Sequence, residues 1–162
     1  MALKRLSNEY NILIKDPNYL YSVIPSENSF LTWNFIIFGP IDTSYEGGIF
    51  DGVINFTNKY PLEPPKVFFK TMIHPNVYKT GEVCISILHT GTDMYGYEKD
   101  YERWNPSHGV DSIMMSIISM LSDPNFQSPA NTDASVLWKN EPVIYKQQIY
   151  DLVARTQMCM SQ

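Results

Sequence analysis

Only two cysteines, Cys84 and Cys159, occur in the 162 residues, too few for a disulfide framework and without the paired spacing of a zinc site, so a reducing compartment and no structural metal are expected. Long hydrophobic runs are missing too. No stretch approaches the ~18 consecutive apolar residues of a membrane helix, and Lys4, Arg5 and Glu9 interrupt the N-terminus where a signal peptide would carry its apolar region. The chain is therefore expected in the cytoplasm, without direct membrane insertion, reaching a membrane only through a partner. A basic excess is absent as well: the formal net charge is -5, which argues against a phosphate backbone and so against nucleic acid as partner. No internal repeat or low-complexity tract is present.

What is there reads as an ordinary soluble chain, 44% hydrophobic and 18% charged, long enough for one domain over 1–162 that buries its own core. Leu3, Leu6, Tyr10, Leu13 and Ile14 recur at three- and four-residue steps and predict an amphipathic helix ending before Asp16-Pro17. Apolar, aromatic and β-branched runs follow near 21–24, 33–38, 48–56 and 66–70, punctuated by Pro25, Gly39-Pro40, Asn58 and Pro61. With no helical stretch between them, these predict a four-stranded antiparallel meander. Residues 71–106 are irregular, far beyond the typical connection of about 4–6 residues, which marks a functional or disordered segment. Beyond it, Ile113, Ile117, Met120 and Leu121 predict a buried helix stopped near Asp123-Pro124, and residues 134–138 a short one. A last helix opens near Pro142 and carries Ile144, Ile149, Leu152 and Val153. The order is that of an α+β domain.

Chemistry concentrates in the irregular segment. Cys84 follows His74-Pro75-Asn76 by a short glycine-containing turn, Tyr78-Lys79-Thr80-Gly81, so the two are expected to lie close together. A thiol is nucleophilic enough to form thioesters, and a side-chain amide such as that of Asn76 is a suitable donor to the oxygen of a tetrahedral intermediate. The plain alternative is a cysteine buried as a small apolar residue between Val83 and Ile85. His74 could serve as base in a cysteine hydrolase, but a histidine directly before proline is driven extended and more often shapes a turn.

The runs Tyr60-Pro61-Leu62-Glu63-Pro64-Pro65-Lys66-Val67, His74-Pro75-Asn76-Val77-Tyr78 and Gly81-Glu82-Val83-Cys84-Ile85-Ser86-Ile87-Leu88, then Trp104-Asn105-Pro106 and Ser122-Asp123-Pro124-Asn125, resemble the core of ubiquitin-conjugating enzymes across essentially the whole chain. The resemblance implies a helix, a four-stranded antiparallel meander and further helices. It implies that Cys84 accepts ubiquitin from the ubiquitin-activating enzyme by transthiolation and passes it to a lysine, with no cofactor or metal. Asn76 is implied as oxyanion stabiliser or loop support. Tyr78 and Ser128 match lysine-orienting positions, although Ser128 stands where the family commonly has an aspartate and brings no charge. Leu62, Pro106 and Ser107 match the two loops that meet RING-type ligases, flanked by Lys4 and Arg5.

Residues 89–103 form an insertion of roughly a dozen residues relative to the minimal family pattern, beyond ordinary loop length. In this it resembles the subgroup with a loop beside the active cysteine, including the conjugating enzymes of endoplasmic-reticulum-associated degradation, and implies polyubiquitin chains as product. Straight after Leu88, with Gly91 and Gly96 as pivots, the insertion is expected to act as a flap. His89 would position its base, and Asp93 or a neighbouring carboxylate would supply the charge missing at Ser128. Asp93, Glu98, Asp100 and Glu102 against Lys99 and Arg103 leave the insertion mildly acidic, and the plain alternative for these charges is a solvated loop face. A silent binding module of the same fold, and a ubiquitin-like modifier in place of ubiquitin, are the competing readings.

Overall fold

Alternation of period two builds the sheet. In β2 (Thr32–Phe38), Trp33, Phe35 and Ile37 are buried while Asn34 and Phe38 face outward, and in β3 (Ile49–Asn55) Phe50 and Ile54 point to the same inner side. A computed structural model describes residues 1–159; the last three residues of the expected domain lie outside it. With β1 (Tyr21–Pro25) and β4 (Lys66–Phe69), these strands form one antiparallel sheet in the order β1-β2-β3-β4. The register sets Trp33 opposite Ile54 and Ile37 opposite Phe50, so large side chains of neighbouring strands meet on the core face. The meander predicted from the turn residues is thus observed.

α2 (Val110–Ser122) fills the inner side of the sheet. Val110, Ile113, Met114, Ile117 and Leu121 are fully buried in one core with Trp33, Phe35 and Ile54, and each such aliphatic side chain stabilises the fold by roughly 1.5–3 kcal/mol. α1 (Ala2–Lys15) buries Ala2 and Leu6 and packs Tyr10 and Leu13 against the core. Leu3 and Ile14, expected in that stripe, are exposed: each follows a core residue by one step, about 100° around the helix, and so falls outside the arc. α3 (Thr132–Asn140) starts two residues earlier than expected because the Asn131 side chain accepts the Ala134 N–H at 3.1 Å, a capping bond that apolar spacing does not show. α4 (Pro142–Cys159) buries Tyr145, Ile149, Leu152 and Val153. Its stripe therefore runs through Tyr145, and Ile144 is exposed.

Between β4 and α2 the chain makes only two short 3-10 turns, Ser86–Leu88 and Asp100–Glu102. This segment pairs with β4 through the Phe68–Glu82 bridge and carries the candidate site.

Candidate active site

The loop before Cys84 is a small hairpin pinned to β4. Val83 N–H donates to the Val67 carbonyl, Phe69 N–H to Gly81, Tyr78 N–H to Glu82 and Cys84 N–H to Asn76, all at 2.9 Å. Gly81 makes the reversal at φ 93, and a Cβ there would sit 2.2 Å from the Phe69 carbonyl oxygen, so only glycine permits this approach. The pairing brings Cys84 beside Asn76, as their spacing predicted. Cys84 is half-buried.

His74 does not face the thiol. Its Nδ1 accepts the Asn76 N–H at 3.0 Å and its Nε2–H donates to the Met120 carbonyl at 2.8 Å. Complete burial pushes its pKa down to about 4, because no anion offsets the lost solvation of the imidazolium. It is a neutral turn-former tying the loop to α2, and both nitrogens are engaged, so it offers no base to Cys84. The Asn76 amide is bound on two sides: Nδ2 donates to the Asn125 carbonyl at 2.7 Å, and Oδ1 accepts the Asn125 N–H at 2.8 Å. Asn76 therefore clamps the turn after Asp123-Pro124 onto the cysteine loop. That clamp uses one of its two side-chain N–H donors.

The imidazole at the sulfur belongs to His89. Its Nε2 lies 3.6 Å from Cys84 Sγ, while Nδ1 lies 2.8 and 3.1 Å from the two Glu98 oxygens. Since a carboxylate only accepts, Nδ1 carries the proton and Nε2 of the neutral ring presents its lone pair to Cys84. The contact with Cys84 and then that with Glu98 hold the His89 pKa above its ordinary value, against the opposing effect of burial. Glu98 is clamped in turn by Arg103, whose Nε and second terminal nitrogen donate to the carbonyls of Gly91 and Thr90, each at 2.6 Å. The Glu98 and Arg103 side chains are 14% and 12% exposed, so this pair is tucked into the insertion, unlike the freely solvated face of the plain alternative.

Asp93 lines the depression at Cys84 together with Glu98. Its carboxylate accepts the N–H groups of Tyr95, Tyr97 and Glu98 at 2.9, 2.6 and 2.9 Å, and these bonds hold its pKa below the usual range. Its carboxylate thus folds the insertion, and Glu98 is the carboxylate bonded to His89 beside the sulfur, a partnership that spacing alone did not single out. Gly91 and Gly96 adopt positive φ of 73 and 71 with open space around them.

Cys84 forms a shared wall of two depressions. One, about 1110 Å³, opens between the insertion, with Tyr95 and Tyr97, and α2, with Met115 and Ser119; Asn76, His89 and Ser128 also line it. The other, about 540 Å³, runs beside Tyr78, Lys66 and Glu63. Tyr78 is exposed, and its phenol is raised in pKa, first by charge on Cys84 and then by a hydrogen bond to it. A sulfur open from two sides can hold an acyl chain on one and admit a nucleophile on the other. Leu62 is 64% exposed, and Lys4, Pro106 and Ser107 are also exposed. Arg5 is committed inward, donating to the carbonyls of Pro106 and His108 at 3.0 and 2.9 Å. Cys159 is exposed at the end of α4. Among the described residues no group of three or more His, Cys, Asp and Glu could hold a metal, and no helix is long and apolar enough to cross a membrane.

A family model described as ubiquitin-conjugating enzyme matches residues 5–153. The chain is 48% identical over 145 residues to "Ubiquitin-conjugating enzyme E2 15" of Schizosaccharomyces pombe, covering 88% of this chain and 87% of that protein. It is 44% identical over 154 residues to human "Ubiquitin-conjugating enzyme E2 G2", covering 93% and 91%. To "Ubiquitin-conjugating enzyme E2 7" of Arabidopsis thaliana it is 45% identical over 155 residues, covering 94% and 93%.

Proposed function

The chain belongs to the ubiquitin-conjugating enzyme family, and from that premise we propose that Cys84 is the residue that carries ubiquitin. Ubiquitin and the ubiquitin-activating enzyme are the partners the family implies. The Cys84 sulfur attacks the thioester carbonyl on the activating enzyme, a new C–S bond replaces the old one, and the activating enzyme's thiolate leaves. In the second step a lysine amine attacks the same carbonyl, the C–N bond forms, the C–S bond breaks, and the Cys84 thiolate leaves. The observation that carries this reading is the half-buried sulfur open to two depressions, with an imidazole 3.6 Å away.

His89, seated on Glu98, accepts the hydrogen bond of the incoming amine and takes its proton, so Glu98 replaces Asp93 as the source of the charge that Ser128 lacks. Tyr78 and Ser128 flank the approach of the lysine, and Asn76 holds the loop while keeping a donor near the oxyanion. The domain spans 1–162, with residues 89–103 as the catalytic flap. Leu62, Pro106, Ser107 and Lys4 form the face for a RING-type ligase, and Arg5 shapes it from inside. The products are polyubiquitin chains for proteasomal degradation, made in the cytoplasm with recruitment to the endoplasmic reticulum surface by a partner. The insertion beside Cys84 supports that assignment.

Purified activating enzyme, ATP and ubiquitin should give an adduct that vanishes with excess thiol. Cys84→Ser should abolish it or leave a slow, thiol-resistant ester, and Cys159→Ser should keep it. Full charging of the Cys84→Ser protein through Cys159 would sink the assignment, and absence of any adduct on the wild type would favour a silent binding module.

A further inference from the structure

The contacts of His89 continue beyond the site. Trp104, buried at the far end of the insertion, donates its backbone N–H to the His89 carbonyl at 2.9 Å and its indole Nε1–H to the Pro61 carbonyl at 2.8 Å. One residue joins the entry of the flap to the residue next to exposed Leu62. Its ring lies against Tyr60 and His108, with centroids 5.8 and 5.9 Å apart. The Tyr60 hydroxyl donates to Glu9 at 2.7 Å, and Glu9 accepts the Val110 N–H at 2.8 Å through its other oxygen. Arg5 bonds the carbonyls on either side of Ser107. The exposed face of Leu62, Pro106 and Ser107 thus stands on a buried, hydrogen-bonded base. That base touches the flap at Trp104.

We propose that Trp104 is a positioning residue that seats His89 against Cys84 and ties that placement to the Leu62 face. The Trp104-to-His89 bond pairs the two stems of the insertion, and Arg103, next in sequence, holds Thr90, Gly91 and Glu98. Moving the indole therefore moves both the backbone of His89 and the clamp on its carboxylate. A partner that presses on Leu62 and Pro106 stiffens the Pro61 carbonyl and the turn at 105–108, between which Trp104 is held. Coupling of this kind needs an element with two arrangements: the observed one seats His89 between Cys84 and Glu98, and the coupling requires a second in which the ring has left them. The link to the Leu62 face rests on reading that face as the ligase site; the seating of His89 does not.

The test uses the full-length protein labelled at histidine carbons, with His89 titrated by NMR. Variants are Trp104→Phe and, in case that protein folds poorly, a chain with benzothienylalanine at 104, which keeps the fused ring and puts sulfur in place of the N–H. In the wild type the His89 midpoint should lie above that of an ordinary histidine. In the variants it should fall by about half a pH unit or more, as the ring leaves its hydrogen-bond partners. A merely structural role for Trp104 would lower stability and leave the midpoint in place, so an unshifted midpoint in a folded variant overturns the seating. A saturating RING domain is then added. The His89 resonances should respond in the wild type and lose that response in the variants although the domain still binds; no response in the wild type, or an undiminished one in the variants, overturns the coupling. If Leu62→Ala leaves RING binding unchanged, the ligase-face reading fails and the coupling with it, while the titration still decides the seating of His89.

Discussion

His74 is buried as a neutral ring, and the energetic consequence of that depends on pH. The unfolded chain takes up a proton near the ordinary value of 6.5, whereas the folded protein resists it until about 4. The stability contributed by the neutral ring is therefore complete above about pH 6.5 and is lost progressively as pH falls toward 4, on the order of 3 kcal/mol in all. His89 works in the opposite sense: its raised value adds stability below the unfolded pKa, which is lost as pH rises through the folded one. Urea unfolding of the wild type and of His74→Asn at pH 7, 6 and 5 should show a flatter dependence in the variant, and parallel slopes would contradict the assignment. Asn76 is tested beside it. Asn76→Ala leaves both backbone groups of Asn125 without their partner, at roughly 1–3 kcal/mol, so loss of activity there mixes folding with catalysis. Asn76→Asp keeps the acceptor for the Asn125 N–H but removes both donors and sets a carboxylate oxygen against the Asn125 carbonyl, so its unfolding in urea is measured beside its activity. Single-turnover discharge to free lysine should fall ~10²-fold or more in Asn76→Asp while charging persists, and an unchanged rate would leave Asn76 with the clamp alone.

At the scale of elements, the insertion at 89–103 was the least legible part of the sequence. Strands announce themselves by alternation and by the proline and glycine between them, so β1 to β4 and α2 fall where the residues place them. An aperiodic segment has no such rule. Its one organising signal is Asp93, whose carboxylate collects three backbone N–H groups; that turn brings Glu98 back to His89, nine positions away, and no spacing argument tells an inward carboxylate from an outward one. Cys84 and Asn76, by contrast, were readable because a hairpin with Gly81 at its reversal needs few residues. The flap has few ties to the rest of the fold beyond Trp104 and Cys84, so deletion of residues 90–98 should leave thermal unfolding nearly unchanged. Charging by the activating enzyme should survive and diubiquitin synthesis should drop ~10²-fold or more, the size of a lost proton acceptor. Glu98→Gln should reproduce most of that loss in an intact flap. Wild-type rates for both steps in the folded deletion protein, with and without a RING domain, would remove the flap from the reaction.

Across the whole molecule, the site is braced by elements far apart in the chain. The hydroxyls of Tyr45, in the β2–β3 connection, and Tyr145, on α4, lie 2.6 Å apart, and both reach the Ile73 carbonyl, at 2.7 and 3.1 Å. Ile73 immediately precedes His74. Two protons serve three short contacts there, and burial raises the pKa of both phenols, so they remain protonated donors. Removing either hydroxyl leaves the other to satisfy Ile73, so Tyr45→Phe and Tyr145→Phe should each cost only about 1 kcal/mol, a fall in Tm of roughly 2–4 °C for a chain of this size. The double variant takes both donors from a buried carbonyl and should lose more than the sum, by about 0.5 kcal/mol or more, as expected for residues sharing one network. It should also slow discharge to lysine, because the loop carrying Asn76 loses its tie to α4, while the half-buried sulfur still accepts ubiquitin. Urea unfolding of the two single variants and the double one closes the cycle; additive losses, or a double variant with wild-type discharge, would show that α4 stabilises the fold without bracing the site.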